Sequence, residues 1–396
     1  MHPSSASADR SGSLVMTPTA EDQSLHPSAP RQRQRTILLL NYDDPVNPAS
    51  GGAPHYCYEV LRRAVDEGYR VIWVSSRFNG SVREETIHGV RIVRFGSPST
   101  VFFYGALYYL LHRKEIDLVF ESVSVVPFFS RLYSSKPRLM IIYHIVPREI
   151  IREKLGRVGV VPWILQQWIS PMTYARERVI TLGPSTAEEL RSLGYVNVHV
   201  VKAGVDLPKG NSPKEDVVVL GGPLRPWKRV EDAVIAFAHL PNNWRLVLFG
   251  SFESPEYEVQ IRELISRLGI AGRVDVLGRI PDEERARTYS RAKLAICGSK
   301  KEGWGLSIFE PQAFGCAAVA YDVPGVRDAV VHGSTGLLVP DGDVAGLTQA
   351  LLSLAQDEPL RAKLGSQGIE RCKQYSWESA YEDFRDQLRS EPVDNE

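Results

Sequence analysis

From Thr36 onward, short apolar runs alternate with amphipathic stretches. TILLLNYD (36–43) is apolar and then turns polar, as expected of a parallel strand covered on both faces. HYCYEVLRRAVDEG (55–68) has apolar residues at helical spacing and predicts a helix closed by Gly68. RVIWVSS (70–76) predicts the next strand. Strand, loop, helix and strand in this order imply a right-handed crossover and a parallel sheet. Further strands are expected at 117–122, 138–144, 178–183 and 197–204. STAEELRSLG (185–194) reads as a helix capped by Ser185, with Glu188 three residues on and Gly194 at its end.

The pattern restarts after a boundary near residues 206–210. Strands are expected at 216–222, 244–250, 273–280, 293–299 and 317–322. Helices are expected over 228–240, 256–269 and 284–292 and near 325–332, followed by a long helical tail. The fold class is therefore α/β, with two Rossmann-like, doubly wound domains in series at 36–205 and 206–374. Ligands in such sheets bind beyond the carboxyl ends of the strands. Gly51, Gly52 and the stretch 301–310 all fall at such ends.

Composition narrows the classes. In 396 residues, 47 basic and 47 acidic side chains cancel, which argues against a nucleic-acid partner. Four cysteines, at 57, 297, 316 and 372, form no Cys-x-x-Cys pair, so zinc is not expected and separate thiols in a reducing cytoplasm are. Residues 1–35, rich in Ser, Pro, Arg and Gln, read as a disordered extension without the apolar core of a secretory signal. VFFYGALYYLL (101–111) is too short for a membrane span, which needs about 20 residues. It reads as a buried helix or as a membrane-surface anchor.

KEGWGLSIFE (301–310) carries the candidate chemistry. Glu302 and Glu310 stand with seven residues between them, around Gly303 and Gly305. A glycine loop opening a helix presents free N–H groups and the positive end of the helix dipole to an anion. The glycines alone read equally as a tight turn before a core helix. The acids add a second requirement, because a carboxylate accepts two hydroxyl hydrogen bonds from a diol. Glu310 would reach a ribose and Glu302 a second sugar, with a diphosphate between them. The implied ligand is a nucleotide-diphosphate sugar.

EGWGLSIFEPQAFGCAAVAYDVPGVRDAV (302–330) resembles the donor-site signature of family-4 glycosyltransferases, Glu-Gly-x-Gly-x4-Glu. NPASGGAPHY (47–56), YHIVPRE (143–149), ITLGPSTAEEL (180–190), GGPLRPWKRVEDAVIAF (221–237) and LGRIPDEE (277–284) agree in order. The resemblance runs from about residue 40 to 385 and implies the GT-B fold, with a last helix in 375–396 crossing back to the N-terminal domain. It implies a retaining, metal-independent glycosyltransferase and no cofactor beyond a donor, UDP- or GDP-sugar foremost. A repurposed relative that binds nucleotide without sugar transfer, and a nucleotide-sugar epimerase, are the alternatives.

Residue by residue, the resemblance makes Lys228 the diphosphate lysine, with a solvated helix-start lysine as the plain alternative. The family's arginine position holds Pro223 here, and Arg225 is the substitute. Glu302 becomes the sugar-facing acid and Glu310 the ribose acid. Backbone N–H groups of Gly303, Trp304, Gly305 and Leu306 would hold phosphate or sugar. Trp304 would wall the sugar pocket or simply pack. Gly51 and Gly52 are the glycine loop that closes over the diphosphate, and Gly222 is a further donor-binding glycine. Gly278, Arg279 and Ile280 form the loop holding the base. His144 is the cleft histidine or else a core histidine. Pro311 would make the following helix start late or kink. Asp341 and Asp343 have metal-like spacing but read as turn residues. The acceptor is open: a glycan, a lipid-linked glycan or a small molecule. IIREKLGRVGVVPWILQQW (150–168) reads as an acceptor lid, a membrane-contacting face or an ordinary amphipathic helix pair, so a place at the inner face of the membrane stays open.

Overall fold

The computed structural model describes residues 34–389, except 49, 209 and 211. Apart from its last two residues, the expected extension 1–35 lies outside the described residues, as do residues 390–396. The first sheet is built from β1 (Thr36–Leu40), β2 (Arg70–Ser75), β3 (Glu84–Ile87), β4 (Val90–Arg94), β5 (Leu118–Val123), β6 (Arg138–Ile142), β7 (Arg178–Thr181) and β8 (Val198–Val200). Its order is β3-β4-β2-β1-β5-β6-β7-β8. All neighbours are parallel except β3 on β4. Every residue of β1 is buried, which is why that strand reads as an unbroken apolar run. The helices of this half are α1 (Gly52–Asp66), α2 (Val101–His112), α3 (Arg148–Leu155), α4 (Val160–Ile164), α5 (Ser170–Tyr174) and α6 (Pro184–Ser192).

The β3–β4 hairpin has no counterpart in the expected strands. Its turn is His88-Gly89, both with positive φ (44° and 78°), the geometry of a two-residue hairpin turn. Asn-Gly is the usual signal for that turn; His-Gly is a weak one.

The second sheet holds β9 (Glu215–Gly221), β10 (Arg245–Phe249), β11 (Val274–Val276), β12 (Ala292–Cys297), β13 (Ala317–Tyr321) and β14 (Gly336–Val339). It is parallel throughout, in the order β11-β10-β9-β12-β13-β14. This is the doubly wound order, and it reverses between β9 and β12. Its helices are α7 (Val230–Ala238), α8 (Pro255–Arg267), α9 (Asp282–Arg291), α10 (Leu306–Ala313), α11 (Val326–Ala329), α12 (Val344–Gln356) and α13 (Glu358–Cys372). The last helix, α14 (Trp377–Arg389), packs on α1, and its Phe384 meets Phe120 of β5 at 5.2 Å between ring centroids. One apolar cluster runs through both halves, from Ile37 and Trp73 to Leu220, Phe309 and Phe384.

Two local expectations are corrected. Helix α6 begins at Pro184 with Gly183 at its N-cap, so Ser185 caps nothing. Its hydroxyl instead donates to Asp328 of α11 at 2.8 Å, tying the halves together. Helix α10 starts directly after Gly305 and takes Pro311 into its sixth position. Proline supplies no N–H there, and the Gln312 amide next to it donates to the Ile308 carbonyl at 2.8 Å.

Candidate active site

The two switch points meet. Gly51 is the N-cap of α1 and Gly305 that of α10. A Cβ placed on Gly52 would lie 3.0 Å from the Leu306 Cδ1, so the first residues of the two helices are in contact across the cleft. Gly305 has φ +80°, the left-handed conformation that lets the chain turn from loop to helix. Gly303 lies so close to the N-terminal half that a Cβ would sit 2.7 Å from the Tyr143 carbonyl. The Tyr143 hydroxyl in turn donates to the Ala53 carbonyl at 3.0 Å, in the first turn of α1. The glycine loop, the end of β6 and the start of α1 are thus one packed unit.

Lys228 sits in a short 3-10 turn (Pro226–Lys228) ahead of α7, after which Arg229 takes φ +45°. It is not a solvated lysine: its Nζ donates to Glu302 Oε1 at 2.7 Å, and both side chains are less than a fifth exposed. The Ser299 hydroxyl donates to the same oxygen at 2.7 Å. Burial would push the Glu302 carboxyl up, but Lys228, Ser299 and the nearby His144 hold it below the usual carboxylate range. His144 is half-buried just beyond β6. Burial pushes its imidazole down to about 4; Glu302 opposes the drop and Lys301 and Lys228 add to it. At neutral pH this ring is therefore uncharged.

Glu310, on α10, accepts from the Tyr289 hydroxyl at 3.2 Å and faces Arg285 Nε at 3.6 Å. Glu310 beside it favours the charged form of Arg285. Arg225 lies over the Trp227 ring at 5.0 Å, and its charge is felt by Tyr42 beyond β1. Among the described residues it has no carboxylate partner. Gly222 directly follows β9, with φ +101°. The Gly278 carbonyl accepts from Gly250 N–H at 2.7 Å, and Ile280 packs against the core. The Arg279 side chain donates to the Pro48 carbonyl in the loop before α1, bridging the cleft.

Of the two readings of Trp304, the structure agrees with packing. Its side chain is buried among Phe309, Tyr375 and Arg371, so it walls no pocket; only its backbone faces the glycine loop. Its size fits an aromatic cluster under the linker to α14. Asp341 pairs with Arg229 at 2.5 Å and Asp343 caps α12 through Gly346 N–H at 2.8 Å. Three partners went unread in the sequence: Ser299 on Glu302, and Arg285 and Tyr289 on Glu310. Ser-x-x-Glu (299–302) was a readable signal; nothing local marks Arg285.

Two doubly wound sheets, parallel apart from the β3–β4 edge and joined at facing switch points, define the GT-B class of fold. The Anabaena protein HepE, solved in complex with UDP and glucose, superimposes with a TM-score of 0.71 over 90% of this chain and 99% of that one. At 18% identity that likeness speaks for the fold. Residues 206–371 match the family described as Glycosyl transferases group 1, and residues 50–209 the one described as Glycosyltransferase Family 4. The chain belongs to this family of glycosyltransferases. It is 33% identical over 212 residues to an exopolysaccharide phosphotransferase of Streptomyces coelicolor, covering 51% of this chain and 22% of that protein. It is 32% identical over 167 residues to a D-inositol 3-phosphate glycosyltransferase of Corynebacterium efficiens, covering 41% of this chain and 39% of that protein. The match thus spans less than half the length of either relative.

Proposed function

We propose that this chain transfers a sugar from a nucleotide-diphosphate sugar to an acceptor hydroxyl, with retention at the anomeric carbon and without a metal. The observation that carries the reading is the meeting of the α1 and α10 N-termini beside the Lys228–Glu302 pair. Two helix N-termini and a lysine at one point suit a diphosphate and little else. The UDP in the HepE complex favours a uridine donor here. The phosphotransferase relative does not redirect the reading, since only 22% of that protein is matched.

Each group then has a task. Lys228 leaves Glu302 for the diphosphate and meets the charge that grows on it as the glycosidic bond breaks. The freed Glu302 carboxylate accepts hydroxyl hydrogen bonds from the transferred sugar. Glu310, steadied by Tyr289 and Arg285, takes the ribose hydroxyls. Neutral His144 offers a hydrogen bond near the reacting carbon rather than a charge. Arg225 and Lys228 supply the neutralisation that a metal would otherwise give. The acceptor oxygen bonds to the anomeric carbon on the face the phosphate leaves, and its proton passes to the departing phosphate oxygen.

The test is a thermal-shift panel of UDP, GDP, ADP, dTDP and their sugars, with and without magnesium. A nucleotide at a hundred times its dissociation constant stabilises by about 2.7 kcal/mol. A selective, magnesium-independent shift that Lys228→Ala removes is expected. In turnover assays Lys228→Ala should cost about 2.7–4 kcal/mol of barrier, by analogy with loss of an oxyanion donor. No shift with any nucleotide would overturn the reading.

A further inference from the structure

The excursion from α3 to α5 is patterned inside out. Between residues 155 and 172, the buried positions are Gly159, Gln166, Ser170 and Pro171. The exposed ones include Val158, Val161, Ile164, Trp168 and Met172, with Trp168 62% and Met172 79% exposed. A helix packed on a core normally does the reverse. The inward polar groups are satisfied. The Gln166 amide accepts from Val146 N–H at 3.0 Å and donates to the Val146 carbonyl at 2.9 Å, while Ser170 pairs with the Tyr195 hydroxyl at 2.6 Å. The outward apolar groups have no cover in the described chain. Fourteen of the exposed large apolar residues lie between Phe103 and Met172, against four beyond residue 215.

Charge indicates the missing partner. Arg152, Lys154 and Arg157 are exposed, and among the described residues their side chains have no carboxylate partner. No acid occurs in the sequence between Glu153 and Glu177. Helix α2, with Phe103 and Leu111 exposed, covers the same sheet face: Val119 packs under α2, and Val123, four residues along β5 and so on the same face, packs under α5. A second copy of the chain related by a twofold axis would bring these cations towards their own like. An apolar face with an outward tryptophan and a cationic border matches an anionic lipid surface.

We propose that α3 to α5 seats this protein on anionic lipid bilayers, with Trp168, Ile164 and Met172 entering the interface and Arg152, Lys154 and Arg157 meeting the headgroups. Gln166 is the positioning residue, since it holds Val146, two residues from His144, from the inner side of the same π-helical turn (Leu165–Ile169). Resting on the glycosyltransferase reading above, this makes the acceptor a lipid-borne hydroxyl delivered to the His144 side of the cleft.

The experiment is co-sedimentation of the full chain with phosphatidylglycerol–phosphatidylcholine vesicles and with phosphatidylcholine alone. Pelleting with the anionic vesicles only, weakened by salt, is expected. Trp168→Glu should weaken it at least ten-fold, and Lys154→Ala and Arg157→Ala about five-fold each. The UDP thermal shift should be unchanged in all three variants, which separates loss of docking from loss of the donor site. Absence of pelleting, pelleting indifferent to Trp168→Glu, or a dimer in sedimentation velocity that Trp168→Glu dissolves would each overturn the proposal. Vesicle binding without any nucleotide shift would leave the docking surface standing and remove the acceptor assignment.

Discussion

The two halves share one plan, a parallel sheet with a switch point, yet they place their charges differently. In the N-terminal half, Arg94 clasps Asp44 at 2.7 and 2.9 Å with both side chains fully buried, and Ser75 adds a bond at 2.7 Å. In the C-terminal half, Lys228–Glu302 and Arg285–Glu310 lie at the lip of the cleft, between 13 and 27% exposed. Arg94 also meets the Glu85 carboxylate at 2.5 Å and donates to the Val82 carbonyl at 3.1 Å, so the sealed pair is held from several sides and acts as architecture. A pair at a lip can open to a charged ligand that offers equivalent contacts. The surfaces differ in the same sense: the half read as holding the charged donor shows few large apolar side chains, and the other half shows many.

The sharpest test of that contrast is stability. Arg94→Met leaves Asp44 buried without its counter-charge and is expected to destabilise the fold by about 3–5 kcal/mol in urea titrations. A loss under about 1 kcal/mol would mean that the pair is no more structural than those at the cleft. Next comes Glu310→Ala. If the lip pairs open to ligand, it should weaken nucleotide affinity by about 1.5–3 kcal/mol, read by calorimetry, because a charged hydrogen-bond acceptor is lost. Unchanged affinity would return Glu310 to a structural role with Arg285.

The smallest effect is on pH. His144 is held near 4, against 6.5 in an unfolded chain. As pH falls through that window the unfolded chain binds the proton first, so stability declines from about pH 6.5 towards 4. Glu302, held low, adds a loss of the same sign at lower pH as its carboxylate protonates. His144→Asn should flatten the decline of the melting temperature between pH 6.5 and 5. Equal slopes in the two proteins would place that decline elsewhere.

Much of the donor side was legible because it is local. Glu302, Gly303, Gly305 and Glu310 lie within nine residues, and the strand–loop–helix that carries them has its own hydrophobic period. The acceptor side was not, because what matters there is which face of a helix points outward. The stretch 150–168 has apolar residues at every turn, with its basic ones gathered at 152, 154 and 157, and its period does not say which side is inside. Gln166 looks like a surface residue in the sequence and proves to be a buried anchor. Ser185 looked like a cap because Glu188 follows it at capping-box spacing. Asp328, 143 residues away, claimed its hydroxyl instead.

The sequence by itself determined the alternation of strands and helices, the restart after residue 206, and the glycine loop between two acids. These follow from backbone preferences and from a hydrophobic period that acts over a few residues. Only the tertiary structure decided that Lys228 lies against Glu302, that Gly52 touches Leu306, that Trp304 turns into the core and that the 155–172 surface stays bare. Those outcomes depend on how two sheets pack across a cleft. Lys228 and Glu302 stand 74 positions apart and Gly52 and Leu306 farther still, and no local pattern carries information over that distance.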